Sequence, residues 1–439
     1  MMEAHELKKR ERYLDKLIGF QDTEPVKVIT GIRRCGKSSL LKLMIQHLLE
    51  TGVEPERIVE MNFESHDFRS MTSDEVYHYV KERVVPNKRM YFFFDELQRI
   101  NAWEDAVNSF RVDFNCDIYI TGSNAYLLSS EYSTYLSGRC VEIKMLPLSF
   151  REFLDFHDLE LHEADSALGG TRKQVFDKNG ERYDLREAFD SYMRFGGMPG
   201  IADVGLDQEK ALALLDGIYS TVVIRDILER EKRRGQRRIT DSLLLRKIVL
   251  FLADNIGNSV SASSIGNTLI NEGLLEHGKR KGTPSAHTVQ AYIGALLESY
   301  FFYEIKRFDI KGKEYLRTLG KYYIVDIGMR NYLLGFRNRD SGHAIENVVY
   351  FELLRRGYDV SIGKIGNSEV DFIATTAEDK KYIQVTESMQ SEEVRKRELA
   401  PLRKIRDNYE KIVLSLDTGL DSSYDGIKSL NLIDWLLTD

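Results

Sequence analysis

Eight consecutive residues, Gly31-Ile32-Arg33-Arg34-Cys35-Gly36-Lys37-Ser38, constrain this chain more than any other stretch. They fit the pattern G-x-x-x-x-G-K-[ST] in full. A short apolar run, Val26–Thr30, comes directly before them. An amphipathic helical pattern, Ser38–Glu50, comes directly after, with Leu40, Leu41, Met44, Ile45 and Leu48 on one face. Glycines at both ends let the backbone turn tightly and bring its N–H groups close to an anion. The helix that follows adds its positive N-terminal end. Lys37 is placed to reach β- and γ-phosphates, and the Ser38 hydroxyl to hold Mg²⁺. Gly31 through Ser38, together with Ser39, are the expected nucleotide contacts.

A second chemical signal is Tyr91-Phe92-Phe93-Phe94-Asp95-Glu96, an apolar strand that ends in two acids. In an open α/β sheet the ligand lies beyond the carboxyl ends of the strands, where this pair falls. Asp95 is expected to orient Mg²⁺ and its waters, and Glu96 to position and deprotonate the attacking water. The adjacent Glu favours ATP hydrolysis. A guanine-reading Asn-Lys-x-Asp is missing, since Asn87-Lys88-Arg89-Met90 lacks the final Asp. A third strand ends in Thr121-Gly122-Ser123-Asn124, and Ser123 or Asn124 is a candidate for the γ-phosphate or the attacking water. Arg139 is a candidate arginine finger, acting in its own site or a neighbour's. Arg33 and Arg34 compete for that role, and a plain loop arginine is the simpler alternative.

The 439 residues suggest about three domains at roughly 100–200 residues each. Over 1–150, β-branched and aromatic runs (Val26–Thr30, Arg57–Asn62, Met90–Phe94, Asp117–Thr121, Val141–Met145) alternate with helical patterns. That alternation predicts a parallel sheet covered on both faces. Residues 151–238 read as a helical lid and linker, with an irregular insertion at 157–184 and a basic run from Lys232 to Arg238. Residues 239–335 read as three helices and a β-ribbon turning at Lys311-Gly312, the pattern of a winged helix. Residues 336–439 return to α/β.

With 42% hydrophobic and 30% charged residues and only seven prolines, the chain is not a disordered polymer. No apolar run reaches the roughly 18 residues that span a bilayer. The charged N-terminus does not read as a secretory signal. Cys35, Cys116 and Cys140 are too few for a disulfide framework and show no metal spacing. These features lead us to expect a cytoplasmic protein. A net charge of −7 excludes a uniformly basic nucleic-acid coat but leaves local basic patches open.

Residues 20–150 resemble an AAA+-like P-loop ATPase core, with a Walker A motif at Gly31–Ser38, a Walker B motif at Phe92–Glu96 and a sensor-like Thr121–Asn124. Leu146-Pro147-Leu148-Ser149-Phe150-Arg151-Glu152-Phe153 and Phe195-Gly196-Gly197-Met198-Pro199 are similar to a widespread prokaryotic group in which such an ATPase precedes a C-terminal domain of unknown function. The resemblance implies ATP and Mg²⁺ as ligands. Gly197-Met198-Pro199 is also similar to the Gly-x-Pro element in the lid of signalling NTPases, which implies a switch acting on protein partners instead. The C-terminal stretch resembles a PD-(D/E)XK nuclease. That implies a second site at Glu346, Asp371 and Gln384, with Gln384 where the second acid belongs and Thr386 where the lysine belongs; a degenerate, binding-only module follows from those two departures. DNA is the partner expected of the winged helix, through His287, Thr288 and Gln290 and through Lys279, Arg280, Lys281, Lys306, Arg307, Lys311 and Lys313. A protein partner and a homo-oligomer stay open.

Overall fold

A computed structural model describes residues 7–125, 138–165, 171–221, 226–228, 239, 241–271, 285–312, 314–337, 341–419 and 422–438. The basic run Lys232–Arg238, the loop Lys279–Lys281 and Lys313 lie outside the described residues. The chain forms two compact units. One is Met1–Leu146 with Glu298–Tyr300; the other is Pro147–Leu297 with Phe301–Asp439. No described helix is long and apolar enough to cross a membrane.

The first unit is built on a five-stranded sheet of β1 (Val26–Thr30), β2 (Ile58–Asn62), β3 (Met90–Asp95), β4 (Cys116–Gly122) and β5 (Cys140–Lys144), in the order β2-β3-β4-β1-β5. Every pairing is parallel. Strands β1 and β3 are buried at every position, which explains the unbroken apolar run Met90–Phe94 of β3; in β1 the buried Lys27 is paired with Asp117. On one face Phe92, Phe94 and Phe110 interlock, with the rings of Phe94 and Phe110 stacked at 5.6 Å. On the other, Phe93 stacks on Tyr119 at 4.6 Å. Each fully buried phenylalanine contributes about 1.5–3 kcal/mol. Because all strands run the same way, their carboxyl ends share one edge. Gly31, Asp95 and Thr121 therefore meet there, with β4 between the strands that carry the loop and the acids.

The second unit holds two sheets. The stretch expected to be irregular, 157–184, is instead a three-stranded antiparallel sheet of β6 (Leu159–Asp165), β7 (Thr171–Asp177) and β8 (Arg182–Tyr183). Its polar composition reflects alternation: Leu159 and Val175 point inward while charged residues face water. Asp177 closes the second hairpin by accepting from Asn179 N and Glu181 N at 2.9 and 2.8 Å.

The other sheet has nine strands. Three helices, Ser242–Asp254, Ala262–Asn271 and Ala286–Glu298, precede an antiparallel ribbon of β10 (Phe302–Asp309) and β11 (Glu314–Ile324), and β9 (Ser259–Val260) pairs with its edge. The expected ribbon is present, but it does not stand alone. Strand β10 pairs in parallel with β12 (Asp359–Ile365), Arg307 opposite Ile362. From β12 the sheet continues through β13 (Ser368–Thr375), β14 (Lys380–Val385), β15 (Glu410–Ser415), β17 (Ile427–Asn431) and β16 (Ser423–Tyr424). The boundary expected between 335 and 336 thus falls inside one hydrogen-bonded sheet. Ribbon residues that read as a free wing have their outer backbone groups taken up by β12.

Candidate nucleotide site

The loop after β1 folds as its glycines require. Gly31 has φ +143°, and a Cβ there would lie 2.1 Å from the Met145 carbonyl oxygen. Only glycine fits. Gly36 has φ +104° and leads into the helix Lys37–Glu50. Between them Arg34 is also left-handed, at φ 64°. Ile32 and Cys35 are buried and anchor the loop from beneath. Lys37 Nζ donates to the carbonyls of Gly31 and Ile32 at 3.0 and 3.1 Å, so its ammonium lies within the loop's curve. Arg10, which the sequence reading missed, donates from Nη1 to the carbonyls of Cys35 (3.0 Å) and Leu146 (2.8 Å). It lies far upstream of the motif, and no local pattern announces it.

At the end of β3 the acids are held by neighbouring strand ends. Asp95 Oδ1 accepts from the Thr121 hydroxyl at 2.5 Å, and Oδ2 from Asn62 Nδ2 at 3.0 Å. Burial raises the Asp95 pKa above the ordinary carboxylate value. Hydrogen bonds from Thr121 and Ser38 and the charge of Lys37 oppose that rise, while Glu96 adds to it. The Ser38 hydroxyl therefore lies close to Asp95. Glu96 takes a left-handed conformation, φ 57°. Its N–H donates to Thr121 Oγ1 at 2.9 Å, and its Oε2 accepts from Ser123 Oγ at 3.0 Å and Gln98 Nε2 at 2.6 Å. Asn124 follows, half-buried. Asn62 and Gln98 were not singled out in the sequence. Asn62 was findable: it ends β2, and parallel register sets it opposite Asp95.

The arginines separate. Arg33 pairs with Glu64, which also pairs with Arg99. Arg34 is exposed on the loop. Arg139 is corrected by the register of β1 and β5. Its carbonyl accepts from Val26 N at 2.9 Å, at the amino edge of the sheet. The phosphate-binding loop begins beyond the opposite edge, a strand length or about 15 Å away. Arg139 cannot act as a finger in its own site.

The second expected site is only partly assembled. Glu346, on the helix Ser341–Arg355, accepts from Tyr323 OH at 3.1 Å. Asp371 accepts from Val385 N at 2.8 Å; burial first and Glu346 second push its pKa well above the usual range. Lys321 on β11, missed in the sequence, lies 2.6 Å from Glu369. Burial would lower its pKa, yet Glu346, Glu369 and Asp371 together raise it. Gln384 donates to Glu398 at 3.1 Å and accepts from Asp371 N at 3.4 Å, so it does not complete a ligand set with Glu346 and Asp371. Among the described residues no three His, Cys, Asp or Glu side chains are grouped to hold a metal ion. Of the expected DNA contacts, His287 and Gln290 are exposed, whereas Thr288 bonds Ser285 at the start of its helix.

A family model described as an AAA domain matches residues 23–154, the part of the chain that carries this loop on β1 and these acids on β3. A second model, for a domain of unknown function (DUF8612), matches residues 186–340. The chain is 37% identical over 430 residues to an uncharacterized protein of Haemophilus influenzae, covering 98% of both, and it belongs to the family of that protein. It is 29% identical over 411 residues to an uncharacterized protein of Methanocaldococcus jannaschii, covering 92% of this chain and 84% of the relative. Among solved structures it is similar to the Walker-type ATPase of Pyrococcus abyssi, with a TM-score of 0.46 and 16% identity over 74% of this chain and 95% of that one.

Proposed function

We propose that this chain hydrolyses ATP with Mg²⁺ and passes its nucleotide state to the segments 239–335 and 336–439, which act on DNA. The observation that carries the first half is Lys37 held inside the loop's curve, with Ser38 close to Asp95, one residue before a second acid. A hydroxyl and a carboxylate side by side are hard oxygen donors of the kind Mg²⁺ takes. Ser38 and Asp95 would hold the ion, which neutralises phosphate charge when bound. The loop N–H groups and Lys37 bind the phosphates. Glu96, fixed by Ser123 and Gln98, takes a proton from the attacking water.

Steady-state phosphate release tests this. Lys37→Ala should lose nucleotide affinity. Glu96→Gln should still bind ATP while turnover falls about 10²–10⁴-fold, the usual worth of a general base. Unchanged release in both variants removes the assignment.

For the second unit, we read 151–238 as a lid, 239–335 as winged-helix-like and 336–439 as a nuclease-like, non-cleaving module. Exposed Lys306 and Lys311 on the ribbon, with His287 and Gln290, support DNA contact. A switch acting on protein partners is the second reading; the pairing of both Arg307 and Lys321 with Glu369 favours it, because that carboxylate offsets part of their charge. A DNA titration at two salt concentrations separates them: binding that weakens steeply with salt supports the first, and no binding supports the second. Mg²⁺-dependent nicking that disappears in Asp371→Ala would overturn the non-cleaving assignment.

A further inference from the structure

At the rim of the nucleotide site one carboxylate holds two arginines. Glu64 follows the end of β2, and its Oε1 accepts from Arg33 Nη2 and from Arg99 Nη2. Arg33 belongs to the phosphate-binding loop itself. Arg99 ends the turn after the acids, where its N–H donates to the Glu96 carbonyl at 3.1 Å. Asn62 fixes Glu64 between them. Its amide accepts from Glu64 N at 2.8 Å through Oδ1 and donates to Asp95 Oδ2 at 3.0 Å through Nδ2. Phe63 N donates to the Asp95 carbonyl at 3.0 Å, so the turn that carries Glu64 runs alongside Asp95. The segments after β1, β2 and β3 thus meet in one ion cluster at the carboxyl edge of the sheet.

This cluster is poised for exchange. The side chains of Arg33, Arg99 and Glu64 are 20, 34 and 41% exposed, so a ligand in solution reaches them. Exposed ion pairs of this kind contribute little to stability. A single oxygen shared by two guanidinium groups is also a weaker hold than the two-pronged pairing that a phosphate offers an arginine. Two arginines on one carboxylate leave an excess of positive charge, next to a loop that already encloses the Lys37 ammonium. A phosphate in that loop therefore competes with Glu64 for both arginines. In the ATPase reading the end of the triphosphate lies toward Asp95 and Glu96, the side on which Glu64 and Arg99 stand.

We propose that Glu64 is a specificity-determining residue of this site, a latch that competes with the terminal phosphate of ATP for Arg33 and Arg99. This deepens the ATPase reading and rests on it. With ATP bound, the arginines exchange the Glu64 carboxylate for oxygens of the third phosphate. With ADP bound, they stay on Glu64. The exchange makes and breaks no covalent bond. It joins the turns that carry Glu64 and Arg99 in one nucleotide state and releases them from each other in the other.

The test measures binding of ADP and of an imido-bridged ATP analogue, which is not hydrolysed, to the full chain with Mg²⁺ by calorimetry. In Glu64→Gln the affinity for the triphosphate analogue should rise about tenfold, the worth of roughly one charge-assisted hydrogen bond, while the ADP affinity stays at the wild-type value. A variant carrying both Arg33→Gln and Arg99→Gln should bind the analogue more weakly and ADP as before. Adding Glu64→Gln to that variant should then give no gain, because no arginine is left to release. A gain that persists there is the plain field of a lost charge and overturns the latch. An equal change for both nucleotides in Glu64→Gln, no change for either, or a loss of analogue affinity overturns it as well. If the two arginine substitutions together destabilise the protein thermally, Glu64→Gln decides alone, and an unchanged ratio of analogue to ADP affinity rejects the proposal. Lys37→Ala tells the two readings apart. Loss of both nucleotides in that variant leaves the nucleotide site standing when the latch fails, whereas wild-type binding of both removes site and latch together.

Discussion

Lys27 and Asp117 are an ion pair with no solvent exposure, on adjacent strands of the five-stranded sheet. Lys27 also donates to the Thr23 carbonyl at 2.9 Å. Asp117 accepts from Tyr119 OH and Asp22 N at 2.9 and 2.8 Å. Burial lowers the Lys27 pKa, and Asp117 works against that. A buried pair of this kind adds little net stability, but removing one partner strands the other charge. Lys27→Met should therefore destabilise the protein by roughly 3–5 kcal/mol in urea unfolding. Adding Asp117→Asn should recover a large part, because an amide leaves no charge behind. Equal stability of single and double variants would contradict this account. The same scale shows what was legible in the sequence. Gly31, Lys37, Asp95 and Glu96 announce themselves because their chemistry is local. Arg10 and Lys321 do not, since their partners are chosen by the fold rather than by spacing.

At the level of elements, buried parallel strands were read directly from short, mostly apolar runs. Strands β6 to β8 were not, because one solvated face dilutes their pattern with charge. The ribbon of β10 and β11 was visible, whereas its pairing with β12 was hidden, since nothing in a strand's sequence names its neighbour. Between β11 and the helix Ile327–Leu334 sits Asp326, buried, accepting from Gly197 N at 2.6 Å and Met329 N at 3.0 Å. It joins the segment after the helix Leu185–Phe195 to the cap of the next helix. Burial raises its pKa to about 6, against backbone hydrogen bonds that favour the ionised form. The folded state then holds this proton more tightly than the unfolded chain, whose carboxyl keeps the ordinary value of 3.8. Its contribution is greatest at low pH and declines as pH rises through about 6. The urea midpoint should drop between pH 4 and pH 6 through this group, and Asp326→Asn should flatten that drop. An identical slope in the variant would reject the assignment.

Over the whole molecule, the first unit is not one continuous stretch of chain. Glu298–Tyr300 belong to it, and Tyr300 OH donates to Glu142 at 3.3 Å while Lys144 lies over the Tyr300 ring. The AAA match at residues 23–154 therefore leaves out a piece of the body it describes. The polypeptide crosses between the units at three peptide links, after Leu146, Leu297 and Tyr300. A single protease cut within 222–240 should consequently give a nicked protein whose two fragments migrate together on gel filtration and part only in denaturant. Separate elution of the two pieces in native buffer would show that the short insertion is dispensable. The first unit is completed by a piece made late in translation: on the ribosome it waits for residues synthesised almost three hundred positions after its first, so the loop after β1 is made well before the body around it closes.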